Sequence, residues 1–284
     1  MEVVEDIKDK SPRHRGAKII IYAVLVFGSF WMLLPFVWMI LTSLKSLQEA
    51  ISVPPVWFPS KPLWSNYQKA LSVAPFGRYF LNTVIVSSVN TVLTIIVTIL
   101  AAFSFARLKF VGKNLLFTLI LASMMVPGEM LIIQNYVTVA KLGWIDSYAA
   151  LIVPWIASPF YIFLLRQYFM QIPDQLYYAA RVDGCRDFKY LWKVMVPNAK
   201  NTIVTIGILN FVASWNAFLW PLLVTNKERM RVLTIGLTEF TNEAGSDVHL
   251  QMAAATFIIL PMIIVYIILR PYIIEGVSRS GIKG

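Results

Sequence analysis

Few residues in this chain could do chemistry, and their types narrow what that chemistry could be. No G-x-x-x-x-G-K-[ST] run is present, so the chain has no phosphate cradle of its own. His14 and His249 lie far apart and Cys185 is the single cysteine, which leaves no internal disulfide and argues against a transition-metal site. No apolar segment holds a catalytic cluster. The expected catalytic, cofactor and metal sets are therefore empty. Three other groups remain. Glu129 follows Pro127 and Gly128 inside apolar sequence, where a carboxylate costs roughly 2.5–3.5 kcal/mol on insertion scales. It must face protein, water or the interface, and no second ionisable group at membrane depth offers it a proton relay. Asn210, Ser214, Trp215 and Asn216 bring amide, hydroxyl and aromatic groups together. That set could line a pore or touch a hydroxyl-rich solute, and it could equally serve helix packing. The third group is residues 171–200, QIPDQLYYAARVDGCRDFKYLWKVMVPNAK, a polar island of about 30 residues between two long apolar runs.

The elements that must position these groups are membrane helices. Of 284 residues, 58% are hydrophobic and 14% charged, against roughly 45–50% and about 25% in soluble domains. The net charge of +10 is spread through the gaps between apolar runs, where it would meet lipid headgroups rather than nucleic acid. A membrane helix needs about 20 mostly apolar residues, and six segments qualify, at about 18–41, 80–105, 115–138, 148–169, 201–225 and 251–274. The expected class is an all-α integral membrane protein with six transmembrane helices, since an isolated span must satisfy its backbone internally. With the N-terminus inside, 17 of the 25 lysines and arginines fall on the cytoplasmic side. The positive-inside rule then places both termini and residues 171–200 in the cytoplasm. This gives a cytoplasmic tail at 1–17, a six-helix transmembrane domain at 18–274 and a second tail at 275–284. The first span reads as an uncleaved anchor.

Within the spans, Pro35 would kink the first, Pro127-Gly128 would break the third, and Pro154 with Pro159 would bend the fourth. Ser87, Thr91, Thr94 and Thr98 share one face of the second span. Such a face packs against another helix or walls a pore. The external stretch 45–77 is rich in proline and aromatics, as an interfacial belt or a protein-contacting lip would be. In 171–200, Asp174 can cap a short helix over 175–182, Gly184 can stop it, and Asp183 or Asp187 can cap the next. Phe188, Leu191, Trp192, Met195 and Val196 then mark one apolar face, ended by Pro197. The residues alone leave two uses open: an idle amphipathic hairpin at the interface, or a docking knob for a cytoplasmic protein.

The run YYAARVDGCRDFKYLWKVMVPNA resembles the EAA motif of bacterial ATP-binding-cassette importer permeases. Ala179, Ala180, Asp183, Gly184, Phe188 and Pro197 match it, and Tyr178 stands where the family has glutamate. The stretch MMVPGEMLIIQNYVTVAKLGWIDSY, the run Trp215-Asn216-Ala217-Phe218-Leu219-Trp220-Pro221 and the ending EGVSRSGIKG resemble carbohydrate-type (CUT1-like) members. The likeness covers about residue 18 to 284 and is closest to the smaller of the two permease subunits. It implies a type I importer (MetI-like) permease fold in a bacterial or archaeal plasma membrane. The implied partners are a second homologous permease, two cytoplasmic ATPases that carry ATP and magnesium, an extracytoplasmic sugar-binding protein and lipid. Tyr178, Ala179, Ala180, Asp183, Gly184, Phe188 and Pro197 would couple to the ATPase. The external loop 226–250 would meet the binding protein, and the C-terminal tail would touch the ATPases. The competing readings are a permease of the same type for another solute, and a secondary transporter or channel.

Overall fold

The computed structural model describes residues 12–242 and 245–278. Most of the expected N-terminal tail and the end of the C-terminal tail lie outside them. Helix α1 is Pro12–Ser43, followed by the short α2, Leu47–Ala50, and by α3, Ser65–Ser72. Next come α4 Phe76–Arg107, α5 Lys113–Ser123, α6 Ile132–Lys141, α7 Tyr148–Ile152 and α8 Pro159–Gln171. Residues 171–200 contribute α9 Asp174–Val182, α10 Asp187–Tyr190 and α11 Val196–Asn198. Then follow α12 Lys200–Trp215, α13 Leu219–Val224 and α14 Val248–Ser278. The described strand content is one antiparallel pair, Thr241–Asn242 with Gly245–Ser246.

Among the described residues, α1, α4 and α14 are long and apolar enough to cross a membrane singly. Two bent pairs qualify jointly. One is Lys113–Ser123 with Gly128–Lys141, turned by 94° at Pro127-Gly128, and the other is Tyr148–Trp155 with Pro159–Gln171, turned by 45°. The expected fifth span is divided. Helix α12 has 16 residues, about 24 Å of rise against a hydrocarbon core of about 30 Å. It stops at Trp215, and α13 resumes after a break at 216–218.

The chain forms two compact units. One comprises the residues up to Ala70 together with Phe240–Thr256. Its tightest knot follows α1, where Asn66 donates to the carbonyls of Ser43 and Lys45 at 2.9 and 2.8 Å and Ser43 Oγ meets Tyr67 Oη at 2.8 Å. Lys45 is buried there, its ammonium 4.0 Å from the Trp38 ring centre. Burial pushes its pKa down, and the nearby Glu49 carboxylate works against that shift. The stretch 45–70 is thus a folded cap carrying α2 and part of α3.

The other unit comprises residues 71–239 and the chain from Phe257 onward. Helix α4 is its axis and packs on α12 and α8. Thr94 and Thr98 are buried, which assigns their end of the face to helix contact, and Ser87 at the other end is buried as well. A Cβ on Gly207 of α12 would meet Ile95 Cδ1 at 3.1 Å, so a small residue allows the close approach. Asn90, also buried, binds two helices at once: it donates to Ile152 O at 3.2 Å and accepts from Asn210 at 2.9 Å.

Candidate functional site

Two places in the second unit are built for function, one at the Arg107 end of α4 and one alongside its first half. The first is the 171–200 segment. Helix α9 begins after Pro173, and Asp174 makes no capping bond. Its carboxylate instead pairs with Arg107 at the end of α4. The Arg107 side chain is only 8% exposed and also donates to the carbonyls of Phe169, at 2.9 Å, and Ile172. One guanidinium fork therefore ties α4, the end of α8 and the start of α9. The other end is tied by Tyr168, whose hydroxyl donates to Asn198 O at 2.8 Å. Between these ties Tyr190, Leu191, Met195 and Ala199 are buried with Ile99, Phe103, Leu165, Phe169 and Ile206 in one apolar cluster.

Gly184 stops α9 as its position suggested. With φ +72° it takes the left-handed conformation, Cys185 N–H donates to Ala180 O at 2.8 Å and Gly184 N–H to Arg181 O at 3.1 Å. This bond pair is a Schellman stop. Neither Asp183 nor Asp187 caps α10, whose N-cap is Arg186 without a side-chain bond. Asp187 instead accepts from Tyr177 Oη at 2.8 Å and pairs with Arg181 at 3.5 Å, bracing the turn from within. That carboxylate, with burial second, pushes the Tyr177 hydroxyl pKa up, and burial does the same to Tyr190.

The expected apolar face of the following helix splits in two. Leu191 and Met195 point into the cluster, while Phe188 and Trp192 stack edge-on at 6.1 Å on the outside. The buried row is Leu191, Met195 and Ala199, four residues apart, and a π-helical turn spans Leu191–Met195. Val196 N–H reaches back five residues to Leu191 O. The wider turn makes room for Pro197, which brings no N–H and would crowd the carbonyl four residues back. Pro197 therefore sits within helix, and the break falls at Ala199. The remaining expected coupling residues are outward. Tyr178 is 64% exposed and Phe188 66%, Ala179, Asp183 and Gly184 are exposed beside them, and Ala180 is half-buried; Val182, outside the expected set, is 88% exposed on the same side. A Cβ on Gly184 would meet nothing within 4 Å.

The second place is a cavity of about 550 Å³ between α4, the Pro127-Gly128 break, the α7–α8 bend and α12. Asn210 and Ser214 line it with Ser87, Glu129, Trp155 and Phe218. Trp215 does not; it is buried, with its ring 5.9 Å from that of Phe80. Asn216 is exposed away from the cavity lining and donates to Val212 O at 3.0 Å. A residue's place in the W-N-A-F-L-W-P run said nothing of which face it takes, because the helix ends within the run.

Sequence reasoning missed the residues that hold these places. Arg107 looked like one more positive-inside charge. Its signal was an arginine at the very end of a long span, ahead of Lys109 and Lys113 in the short connection that follows. Asn82 and Thr83 were missed at the other end of α4. Asn82 is fully buried and donates to Arg229 O at 2.9 Å and Arg231 O at 2.8 Å, and Thr83 Oγ1 accepts from Leu233 N–H at 2.8 Å. Much of the loop expected to reach outward is thereby interior, with Met230, Val232, Leu233 and Ile235 buried.

The family model for the binding-protein-dependent transport system inner membrane component matches residues 94–279. The chain is 35% identical over 264 residues to a putative ABC transporter permease protein, ORF2, of Caldicellulosiruptor sp. (strain Rt8B.4), covering 91% of this chain and 96% of that one. It is 34% identical over 209 residues to the arabinooligosaccharides transport system permease protein AraQ of Bacillus subtilis, covering 74% of each. A chain from the crystal structure of a bacterial ABC transporter involved in the import of the acidic polysaccharide alginate matches with a TM-score of 0.78 at 24% identity. The match covers 92% of this chain and 98% of that one, and at that identity it shows the shared fold.

Proposed function

Because this chain belongs to the family of binding-protein-dependent transport system inner membrane components, we propose that it is the permease subunit of an ATP-driven sugar importer, in a bacterial or archaeal plasma membrane. The relative that carries arabinooligosaccharides in its name favours an oligosaccharide as the solute. In this reading α1, α4, the α5–α6 pair, the α7–α8 pair, α12 with α13, and α14 are six spans, and both termini are cytoplasmic. A second homologous permease completes the pore, two ATPases dock below, and a binding protein delivers sugar from outside.

The observation that carries the reading is the two-sidedness of 171–200. Its back is tied by Arg107, Tyr168 and a buried aromatic cluster, while Tyr178, Val182, Gly184 and Phe188 stand bare. A short element held rigidly on one side and bare on the other can pass a rigid-body push from a partner into α4, α8 and α12. Tyr178 in place of glutamate means that the dock uses shape and apolar contact at that position rather than an ion pair.

The test is ATP hydrolysis by the purified chain with its operon-encoded partners in proteoliposomes. Stimulation by the sugar-loaded binding protein is expected, and its absence would sink the import reading. Gly184→Arg, which sets bulk and charge on the bare turn, is expected to abolish ATPase docking. Intact docking would show that coupling lies elsewhere.

A further inference from the structure

The cavity beside α4 has one sign of charge. Its volume of about 550 Å³ falls within the usual range for small-ligand sites. Two half-exposed aromatic side chains, Trp155 and Phe218, stand on its wall, and such faces stack on the apolar face of a sugar ring. Ser87 Oγ is buried on the same wall and has no hydrogen-bond partner, which is costly unless something enters to supply one. Asn210 donates through Nδ2 to Asn90 and Thr91 at 2.9 and 3.3 Å, so its Oδ1 is left as an acceptor. Glu129 is exposed and, among the described residues, is the one charged side chain on that wall.

Resting on the import reading above, we propose that this cavity selects uncharged oligosaccharides against uronate- or phosphate-bearing ones, and that Glu129 is the residue that sets this preference. A carboxylate has two oxygens that accept from neighbouring sugar hydroxyls, and it repels a second anion. A sphere of this cavity's volume is about 5 Å in radius, so an anion inside lies within roughly 10 Å of Glu129, about one Debye length at 0.1 M salt. No lysine, arginine or histidine on the described wall offsets the repulsion. Hydroxyl, amide and aromatic groups make up the remaining polar and stacking surface, and these bind neutral sugars without charge.

The decisive measurement needs no sugar. In the assembled transporter, with Cys185→Ala and Ser214→Cys in this chain, the cavity thiol is reacted with a cationic (trimethylammonioethyl) or anionic (sulfonatoethyl) methanethiosulfonate. Labelling of this chain is followed by mass spectrometry. The cationic reagent is expected to react faster, and Glu129→Gln to lower the cation-to-anion rate ratio by roughly threefold or more, with Glu129→Asp retaining it. An unchanged ratio in Glu129→Gln would overturn the assignment to Glu129. Failure of both reagents to react would overturn the open cavity itself. A second measurement takes the solute. The cognate binding protein is titrated calorimetrically with neutral and uronate-bearing oligosaccharide pools of equal chain length. Tighter binding of the neutral pool is expected. Preference for the uronate pool would overturn the solute assignment and leave the import reading standing, whereas binding of neither pool would overturn the sugar reading while the reagent ratio still tests the sign of the cavity.

Discussion

At the Phe76 end of α4 the chain over 225–239 is held through its backbone. Asn82 and Thr83 bond to main-chain atoms of Arg229, Arg231 and Leu233, and Asp146 accepts the N–H groups of Asn226 and Lys227 at 2.6 and 2.7 Å. Past the exposed residues 226–229, the loop's side chains at Met230 and Val232–Ile235 turn inward and are buried. At the Arg107 end the arrangement is reversed. The 171–200 segment is a helical hairpin that satisfies most of its backbone within its own turns, takes side-chain donors from outside at its two ends, on Ile172 O and Asn198 O, is packed on one face, and keeps apolar side chains outside. The difference shows how irregular chain can be made rigid: buried side chains of the spans replace the missing backbone partners. A helical element needs little such help, so its outer face is free to serve a partner.

The largest effect is expected where backbone groups would be orphaned. Asn82→Ala removes the donor to Arg231 O, the shorter of the two side-chain donors to Arg229 O, where Arg78 Nε remains at 3.4 Å, and the acceptor of the Tyr148 hydroxyl at 2.8 Å. Leaving buried polar groups unpaired costs about 1–3 kcal/mol each, so a loss of about 3 kcal/mol is expected in thermal unfolding of the detergent-solubilised protein. A loss below 1 kcal/mol would mean that the loop is not held by its backbone, and the contrast between the two ends would dissolve.

Arg107→Ala should cost less globally, about 2 kcal/mol, because Asp174 is largely exposed and regains water while the carbonyls of Phe169 and Ile172 lose a charged donor. The effect should be local: hydrogen exchange accelerates across 172–185 and sugar-stimulated ATP hydrolysis uncouples from transport. Arg107→Lys should not restore either, since one ammonium cannot reproduce the fork over three acceptors. Rescue by lysine would reduce the tie to simple charge. Smaller again is Gly184→Ala, about 1 kcal/mol, from the left-handed backbone alone, because nothing crowds the new methyl group. Its readout is faster exchange of the Cys185 amide, and Gly184→Asn should exchange more slowly than Gly184→Ala.

How much of this was legible follows from the range of each cause. The stop at Gly184, the break at Pro127-Gly128 and the bend between Pro154 and Pro159 depend on a few adjacent residues, and each is present. The apolar helices follow from composition in the same way. What was misjudged depends on distant partners. Asp174 looked like a cap because its partner Arg107 lies 67 residues away, and the loop after Thr225 looked like surface because Asn82 and Thr83 lie about 150 residues before it. The outward turn of Phe188 and Trp192 depends on where the packed partners lie, since Ile99, Phe103, Leu165, Phe169 and Ile206 take the row of Leu191, Met195 and Ala199.

The smallest expected effect extends the contrast to the cap that follows α1, within the other unit. There Glu49 does for irregular chain what Asn82 does elsewhere, accepting Ser46 N–H at 3.0 Å and Ser60 N–H at 3.1 Å. The Ser46 bond is the leading cause and the Ser60 bonds come next, and together they hold the Glu49 pKa down at about 2. A carboxyl group with a lowered folded pKa stabilises the fold above its ordinary value of about 4.3, and that contribution is lost as pH falls from there toward 2. The cap should therefore keep its structure through pH 5 and loosen only between about pH 4 and 2. The nearby Trp57 provides a fluorescence report, and Glu49→Gln should remove the acid-dependent step without moving the spectrum at pH 7 by a comparable amount. A step centred near pH 4 or above in the wild type would show that Glu49 is not holding those two amides, and that this stretch is rigid for another reason, such as the Asn66 bonds to Ser43 and Lys45.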